Sequence, residues 1–442
     1  MTRSTRAMSQ ETLSPSHHDA SRTTPVWSSA AALLSTMMGG GMLTLPFAFS
    51  QCGILGGCFL LALSSVGGGF SLYILIAAAR RTGAANYGVL ADDAFGRGAS
   101  VFVSSLTLTL TLMCIVAYSI LLKDMLGSGL EILGIEHGYK NKVLLLLLTI
   151  ITLPISLNRS LGGLKFITPL SLGSMIMLTL AVLLRGSEHA YNHWETVTYH
   201  LWPESSYNVF RALPIFVLAF MCHFNALEMH SELVNPTRTR LKRVIIITIA
   251  VSTIIYFLFG IAGYLWAGDN VQGDILRSFD ADDQLIFIGR FGLLIAMLGN
   301  IPLMVLPARQ IIVDLLIVRT LISEVKAASP GGAMHSEMSA LKSTSSAAVV
   351  YVPSGQANAP PQSDSLLWWY CFNQSEEESG FAEPTALGHL LLTSFIVLGA
   401  GLASVICPSV EVIWGLCGSS VGILLALSIP SGICKIIRIY LS

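Results

Sequence analysis

Trp27–Ser50 reads WSSAAALLSTMMGGGMLTLPFAFS, and the fold can be worked outward from it. The stretch 26–49 is apolar and long enough to cross a bilayer, which takes about 20 residues. Its middle nevertheless holds Gly39, Gly40 and Gly41, with Pro46 shortly beyond. Each interior glycine costs a helix about 1 kcal/mol relative to alanine, so a helix serving only as an anchor gains nothing from three. Run together, they let the backbone leave the helix and expose N–H and C=O groups. In hydrocarbon such groups are tolerated only where they line a protein-enclosed cavity, as in the broken helices of secondary transporters. The structural alternative is a close helix–helix contact through small residues.

The rest of the composition agrees with a membrane setting. Of 442 residues, 53% are hydrophobic and only 12% are charged. Soluble domains carry about 25% charged residues, so the chain reads as a multi-spanning membrane protein whose solvent is the lipid bilayer. Net charge is −1 and the basic residues are scattered, which gives no support to nucleic-acid binding. Cys58, Cys114, Cys222 and Cys417 lie inside apolar stretches without metal-ligand spacing and read as small core residues. Residues 1–25 are polar and contain no apolar core of a signal peptide, so the first span directs insertion.

Apolar stretches recur near 26–49, 54–79, 100–123, 143–157, 166–185, 209–231, 244–267, 285–308, 387–407 and 410–430, predicting about ten transmembrane helices. With the N-terminus in the cytoplasm, seven of the 25 Lys and Arg fall elsewhere (Lys123, Lys140, Lys142, Arg185, Arg211, Arg277, Arg290), leaving 18 inside. That asymmetry predicts both termini in the cytoplasm. The outer loop after the seventh span is acidic, and the sequons at Asn158 and Asn373 fall on the cytoplasmic side. The expected organisation is a polar tail (1–25), eight spans (26–318), a disordered cytoplasmic linker (319–385), two further spans (386–430) and a short C-terminus (431–442).

Polar groups inside the spans are the candidates for chemistry. In the sixth span Cys222, His223, Phe224 and Asn225 put an imidazole and an amide near mid-membrane, where ionisable groups are costly and functional by default. A structural histidine bonded to a neighbouring carbonyl is the other reading. Spans one and six each open a block of five, and irregular helices at corresponding places point to an inverted-repeat transporter. In the third span Ser104, Thr107, Thr111, Cys114 and Tyr118 share one helix face, facing either solute or a neighbouring helix. Asn300 precedes Pro302 in the eighth span, so an amide sits beside a helix irregularity, a setting suited to a hard cation or to packing. No GxSxG, HExxH, phosphate-loop or kinase pattern is present, which leaves catalysis without support.

These residues resemble the amino acid/auxin permease family, especially its sodium-coupled neutral amino acid transporter branch. The resemblance is carried by GGGMLTLPFAFSQCG in the first span and FVLAFMCHFNALEMHSELVNPTRTRLKRV around the sixth. LPISLNRSLGGLKFITPLSLGSM, GLLIAMLGNIPLMVLPARQ and CPSVEVIWGLCGSSVGILLALSIPSG add to it. The resemblance implies an all-α polytopic fold of two inverted five-helix repeats, with helices 1 and 6 broken around an amino acid substrate. It implies substrate contacts at Met38, Gly39, Gly40, Gly41, Thr111, Cys222, His223 and Asn225. Ion coupling falls to Thr36, His223 and Asn300, with H+ or Na+ as the coupling ion and no other cofactor. An imidazole's ordinary pKa of about 6.5 lets His223 change charge between a neutral and an acidic compartment, so proton coupling through His223 comes first. Thr36 and Asn300 stand where that branch carries an Asn and a Thr, a departure that speaks against its sodium coupling unless the two residue types have exchanged places. The branch's loop disulfide and its eleventh span are not matched in this sequence.

The sequence therefore predicts a secondary active amino acid transporter in the plasma membrane or an acidic organelle membrane. The alternatives are an amino-acid-binding nutrient sensor, or a truncated transporter without function. A channel lacks a filter-like loop or carboxylate ring.

Overall fold

A computed structural model describes residues 24–84, 86–132, 139–158, 167–193, 199–280, 283–328, 386–407 and 410–433. Most of the 1–25 tail, most of the linker and the end of the C-terminus lie outside the described residues, as do Arg159, Lys165 and Asn373. Among the described residues the regular secondary structure is all helical, apart from one isolated bridge between Thr24 and Leu233. Eight helices of the described residues are long and apolar enough to cross a membrane, and two apolar ones are shorter. All ten apolar stretches of the sequence contain helix, and the first and sixth are interrupted near their centres.

The first stretch is interrupted where its glycines lie. Helix α1 (Val26–Met37) stops, and a 3-10 turn (Gly40–Thr44) leads into α2 (Leu45–Thr82). Within α2 the backbone bends at Gly53, whose φ of 70° suits a residue without Cβ. The backbone of residues 200–202 closes onto that bend through bonds from Ile54 N to His200 O and Leu55 N to Leu201 O, both 3.0 Å. A short helix α3 (Tyr87–Phe95) is capped by the Asn86 side chain and precedes the long α4 (Arg97–Ile132).

Helix α5 runs Lys140–Leu147, passes through a π-helical turn (Leu148–Thr152) and ends at Leu153–Ser156. Next comes α6 (Ile167–His193). The sixth stretch is the second broken one: α7 (Ser206–Ala219) ends, Phe220–Cys222 leave the helix, and α8 (His223–Glu232) resumes. Helix α9 (Arg238–Ala267) begins at the Thr237 cap. Helix α10 (Gln284–Ala328) absorbs Pro302 and Pro307 without stopping. It also makes residues 319–328 helical, where a disordered linker was expected to begin: LISEVKAA is rich in good helix formers. Two last helices, α11 (Ala386–Ile406) and α12 (Val410–Leu416, continuing through π-helical turns), complete the set.

Packing sorts these helices into inner and outer members. In α10 78% of the most apolar stretch is buried, against 39% in α9 and α11, so α10 is central and its polar groups must be partnered inside. It packs on α6 and α4, while α9 packs on α2 and α6. Phe59, Val66, Phe70, Ile246, Phe395 and Ile406 remain exposed, as lipid-facing side chains should.

Candidate functional site

The two helix breaks meet each other, and a tyrosine joins them. Met37 and Ala219 are the last residues of α1 and α7, so their carbonyls lack the next helical amide. The buried Tyr256 hydroxyl of α9 lies 2.7 Å from Met37 O and 2.8 Å from Ala219 O, and donates between them. Its ring stacks edge-on against Phe220, with centroids 5.3 Å apart. Nothing in the sequence around Tyr256 announces this role, because both partners are distant in the chain.

A small cavity of about 20 Å³ lies between the breaks. That is room on the scale of one water molecule. Thr36, Met37, Gly39 and Gly41 line it from the first break, and Leu218, Met221 and Phe224 from the second. Cys114 and Tyr118 of α4, Met304 of α10 and Trp414 of α12 close the remaining sides. No Asp or Glu lines it.

The three glycines are not equivalent. A Cβ on Gly39 would strike the Tyr118 hydroxyl, and one on Gly40 would strike Leu121 and come 3.0 Å from Trp414. A Cβ on Gly41 would meet nothing within 4 Å. Gly39 and Gly40 thus allow close approach of α4 and α12, whereas Gly41 opens on free space. Gly40 is not among the residues lining the cavity, and Met38 is fully buried in the turn, its amide bonded to Leu34 O at 2.7 Å.

The remaining candidates fall into three groups. Asn225 and Thr36 touch: the Asn225 Nδ2 donates to Thr36 Oγ1 at 3.2 Å and to Leu303 O at 3.4 Å. Leu303 O is available because Pro307, four residues on, has no N–H to offer it. The other amide atom, Asn225 Oδ1, is buried without a hydrogen-bond partner. Asn300 belongs to a second polar cluster: its Oδ1 accepts from Ser35 Oγ at 3.1 Å and Ser171 Oγ at 2.9 Å, while Nδ2 has no partner. Thr36 and Asn300 therefore neighbour one another through Ser35 but do not bond.

The third group lies away from the cavity. The His223 Nε2 donates to Ser71 Oγ of α2 at 3.1 Å, and Ser71 donates to Ala426 O. The imidazole thus pins α8 to α2 and the last helix, and neither His223 nor Cys222 lines the cavity. Thr111 returns its hydroxyl to its own helix, to Thr107 O and Leu108 O, both at 3.0 Å. One turn further, Cys114 and Tyr118 are the members of that stripe that reach the cavity. The side chains that sequence reasoning missed are Ser35, Ser171, Tyr256 and Trp414.

A family model described as transmembrane amino acid transporter protein matches residues 22–437. The chain belongs to that family. A Xenopus laevis relative named for sodium-coupled neutral amino acid transport is 25% identical over 425 residues, covering 92% of this chain and 34% of its own length. The chain thus spans about a third of that relative. Vacuolar amino acid transporter 5 of Schizosaccharomyces pombe is 27% identical over 64% of this chain and 68% of its own. Human solute carrier family 38 member 10 is 26% identical over 66% of this chain and 26% of its own. These relatives are named as transporters, not as enzymes. Among solved structures, a nucleobase-cation-symport-1 family transporter in a closed conformation aligns over 97% of this chain and 96% of that one, with TM-score 0.49 and 12% identity. A likeness of that degree carries no argument.

Proposed function

We propose that the chain is a secondary active transporter of neutral amino acids, working by alternating access between two inverted five-helix repeats. In this reading α1 with its 3-10 turn and α7 with α8 are the equivalent broken helices. The observation that carries it is the meeting of both breaks at Tyr256 beside one small cavity. The substrate carboxylate belongs at the Gly41 amide, which lines the cavity in the first turn of the 3-10 segment and lies at the positive end of its dipole. Its ammonium belongs at the carbonyl end of α7, and its side chain against Cys114, Phe224 and Met304. With the cavity this small, substrate requires the breaks to separate, which is the motion alternating access supplies.

For the coupling ion we favour sodium, held by Thr36 Oγ1, Leu303 O and the Asn225 side chain. Hard cations take oxygen ligands, and unwound backbone supplies carbonyls in transporter sites. In this structure an N–H of Asn225 sits between two oxygens while its own Oδ1 is unpartnered. Turning that amide through half a rotation replaces the donor with a third oxygen, so the protein's own N–H occupies the cation's place. Relatives named as sodium-coupled support the same choice. Proton coupling through His223 would need the imidazole at the cavity, and it bonds to Ser71 instead.

The test is uptake of labelled neutral amino acids into proteoliposomes under a sodium gradient at constant pH, then under a proton gradient without sodium. Uptake should follow sodium, and Asn225→Leu should abolish that dependence. Uptake driven by protons alone, with Asn225→Leu unimpaired, overturns the sodium site. Specific binding without uptake under either gradient makes the protein a sensor.

A further inference from the structure

We propose that the trench between α2 and α9 is a binding site for an anionic glycerophospholipid of the surrounding bilayer. The trench has a volume of about 730 Å³ and opens on the outer surface of the helix bundle. Small residues make it. Gly69 faces Ile249 so closely that a Cβ there would lie 3.3 Å from Ile249 Cγ1. Ala250 adds no bulk, and the Ser65 and Thr253 hydroxyls satisfy each other at 2.8 Å on its floor. Exposed Val66, Phe70, Ile246 and Ile254 form its rims. From Ser65 to Tyr73 it runs along α2 for about 12 Å, at 1.5 Å per residue. An apolar slot of that length, floored by hydroxyls already paired with each other, fits a stretch of acyl chain.

Charge distinguishes this slot from an ordinary lipid-facing groove. At one end the Lys242 ammonium sits over the Tyr73 ring, 5.6 Å from its centroid. Both residues line the trench, and Lys242 is exposed and forms no ion pair among the described residues. Arg80 and Arg81 lie in the last turn of α2, at the same end. Arg238, Arg240, Lys242 and Arg243 open α9, and its first turn has no acidic residue. Cations at a helix N-terminus oppose the helix dipole, so α9 itself gains nothing from them. A lipid phosphate at Lys242 answers that charge, while its chain fills the slot below. Basic pockets between membrane helices on the cytoplasmic side recognise anionic headgroups by the same arrangement.

The experiment places the full chain in nanodiscs with a photoactivatable phosphatidylserine or phosphatidylcholine analogue and maps the labelled peptides by mass spectrometry. Segments 65–73 and 242–254 should be labelled about fivefold more by phosphatidylserine, the preference expected of one cationic side chain at an anionic surface. Lys242→Glu should reduce phosphatidylserine labelling to the phosphatidylcholine level, and Ala250→Trp, which fills the slot, should reduce both. As a check that needs no variant, the preference in the wild-type chain should fall as salt rises. Equal labelling by the two lipids reduces the trench to annular contact and overturns the proposal. So does a preference that neither salt nor Lys242→Glu changes, or displacement of both phospholipids by a sterol analogue.

Discussion

Replacing Tyr256 by Phe removes one oxygen and leaves the ring packed on Phe220, so the substitution isolates the hydroxyl that joins the two helix breaks. Met37 O keeps the Gly39 amide at 2.8 Å, but Ala219 O loses the donor at 2.8 Å. Leaving a buried acceptor without its partner costs about 1–3 kcal/mol. The cost applies only to the arrangement in which both breaks lie together, so under the proposed alternating access it shifts the balance between closed and open forms. At about 1.4 kcal/mol per factor of ten, the apparent KM for uptake should change roughly fivefold to a hundredfold. Labelled amino acid uptake in proteoliposomes measures it, with thermal melting of the purified protein recorded alongside. A Tyr256→Phe protein that melts lower but transports with unchanged KM would make the hydroxyl a brace only, and the reasoning fails.

Gly40→Ala should impair uptake at least tenfold by pushing on Leu121 and Trp414, whereas Gly41→Ala should keep α1 and α4 packed and alter substrate selectivity instead; initial rates across a panel of amino acids separate the two. Burial raises the pKa of Asp274, in the loop after α9, to about 7. Its folded form therefore binds a proton more tightly than the unfolded chain, and the destabilisation is absent below about pH 4, grows as pH rises, and reaches at most about 4 kcal/mol above pH 7. Asp274→Asn should remove that dependence and raise the melting temperature at pH 8 while leaving it unchanged at pH 4. An epitope inserted after Gly83 should be reached only in permeabilised cells, and one after Gln272 from the opposite side of the membrane; the reverse pattern overturns the charge-based orientation.

The break in the first span was legible because Gly39–Gly41 remove side chains from a place where a helix needs them. Yet Gly67–Gly69, an equal run in α2, stays helical. There a Cβ on Gly68 would lie 3.2 Å from Phe220 Cβ, so that run serves close packing. Composition cannot separate the two cases, because the difference lies in Tyr256, which captures the carbonyl at Met37. The second break sits at Phe220–Cys222, overlapping at Cys222 the Cys222–Asn225 centre read from sequence, and has no glycine to mark it. Polarity picked out His223 and Asn225 alike, but only their neighbours show that one faces Ser71 and the other Thr36. The eighth span's irregularity was sought at Pro302 beside Asn300, while the carbonyl put to use is the one released by Pro307.

Thr24 precedes the first helix by a single proline, and it is stitched to the end of the second broken helix. Its amide and hydroxyl reach Glu232 O at 3.1 and 2.9 Å, and its carbonyl receives Val234 N at 3.0 Å. At about 1 kcal/mol each, these bonds must part together before α1 can swing away from α8. The resting population of that opened form then falls by roughly a hundredfold. In the proposed alternation the segment leading into the first helix is a latch string: whatever pulls on it from the tail side works directly against the bolt.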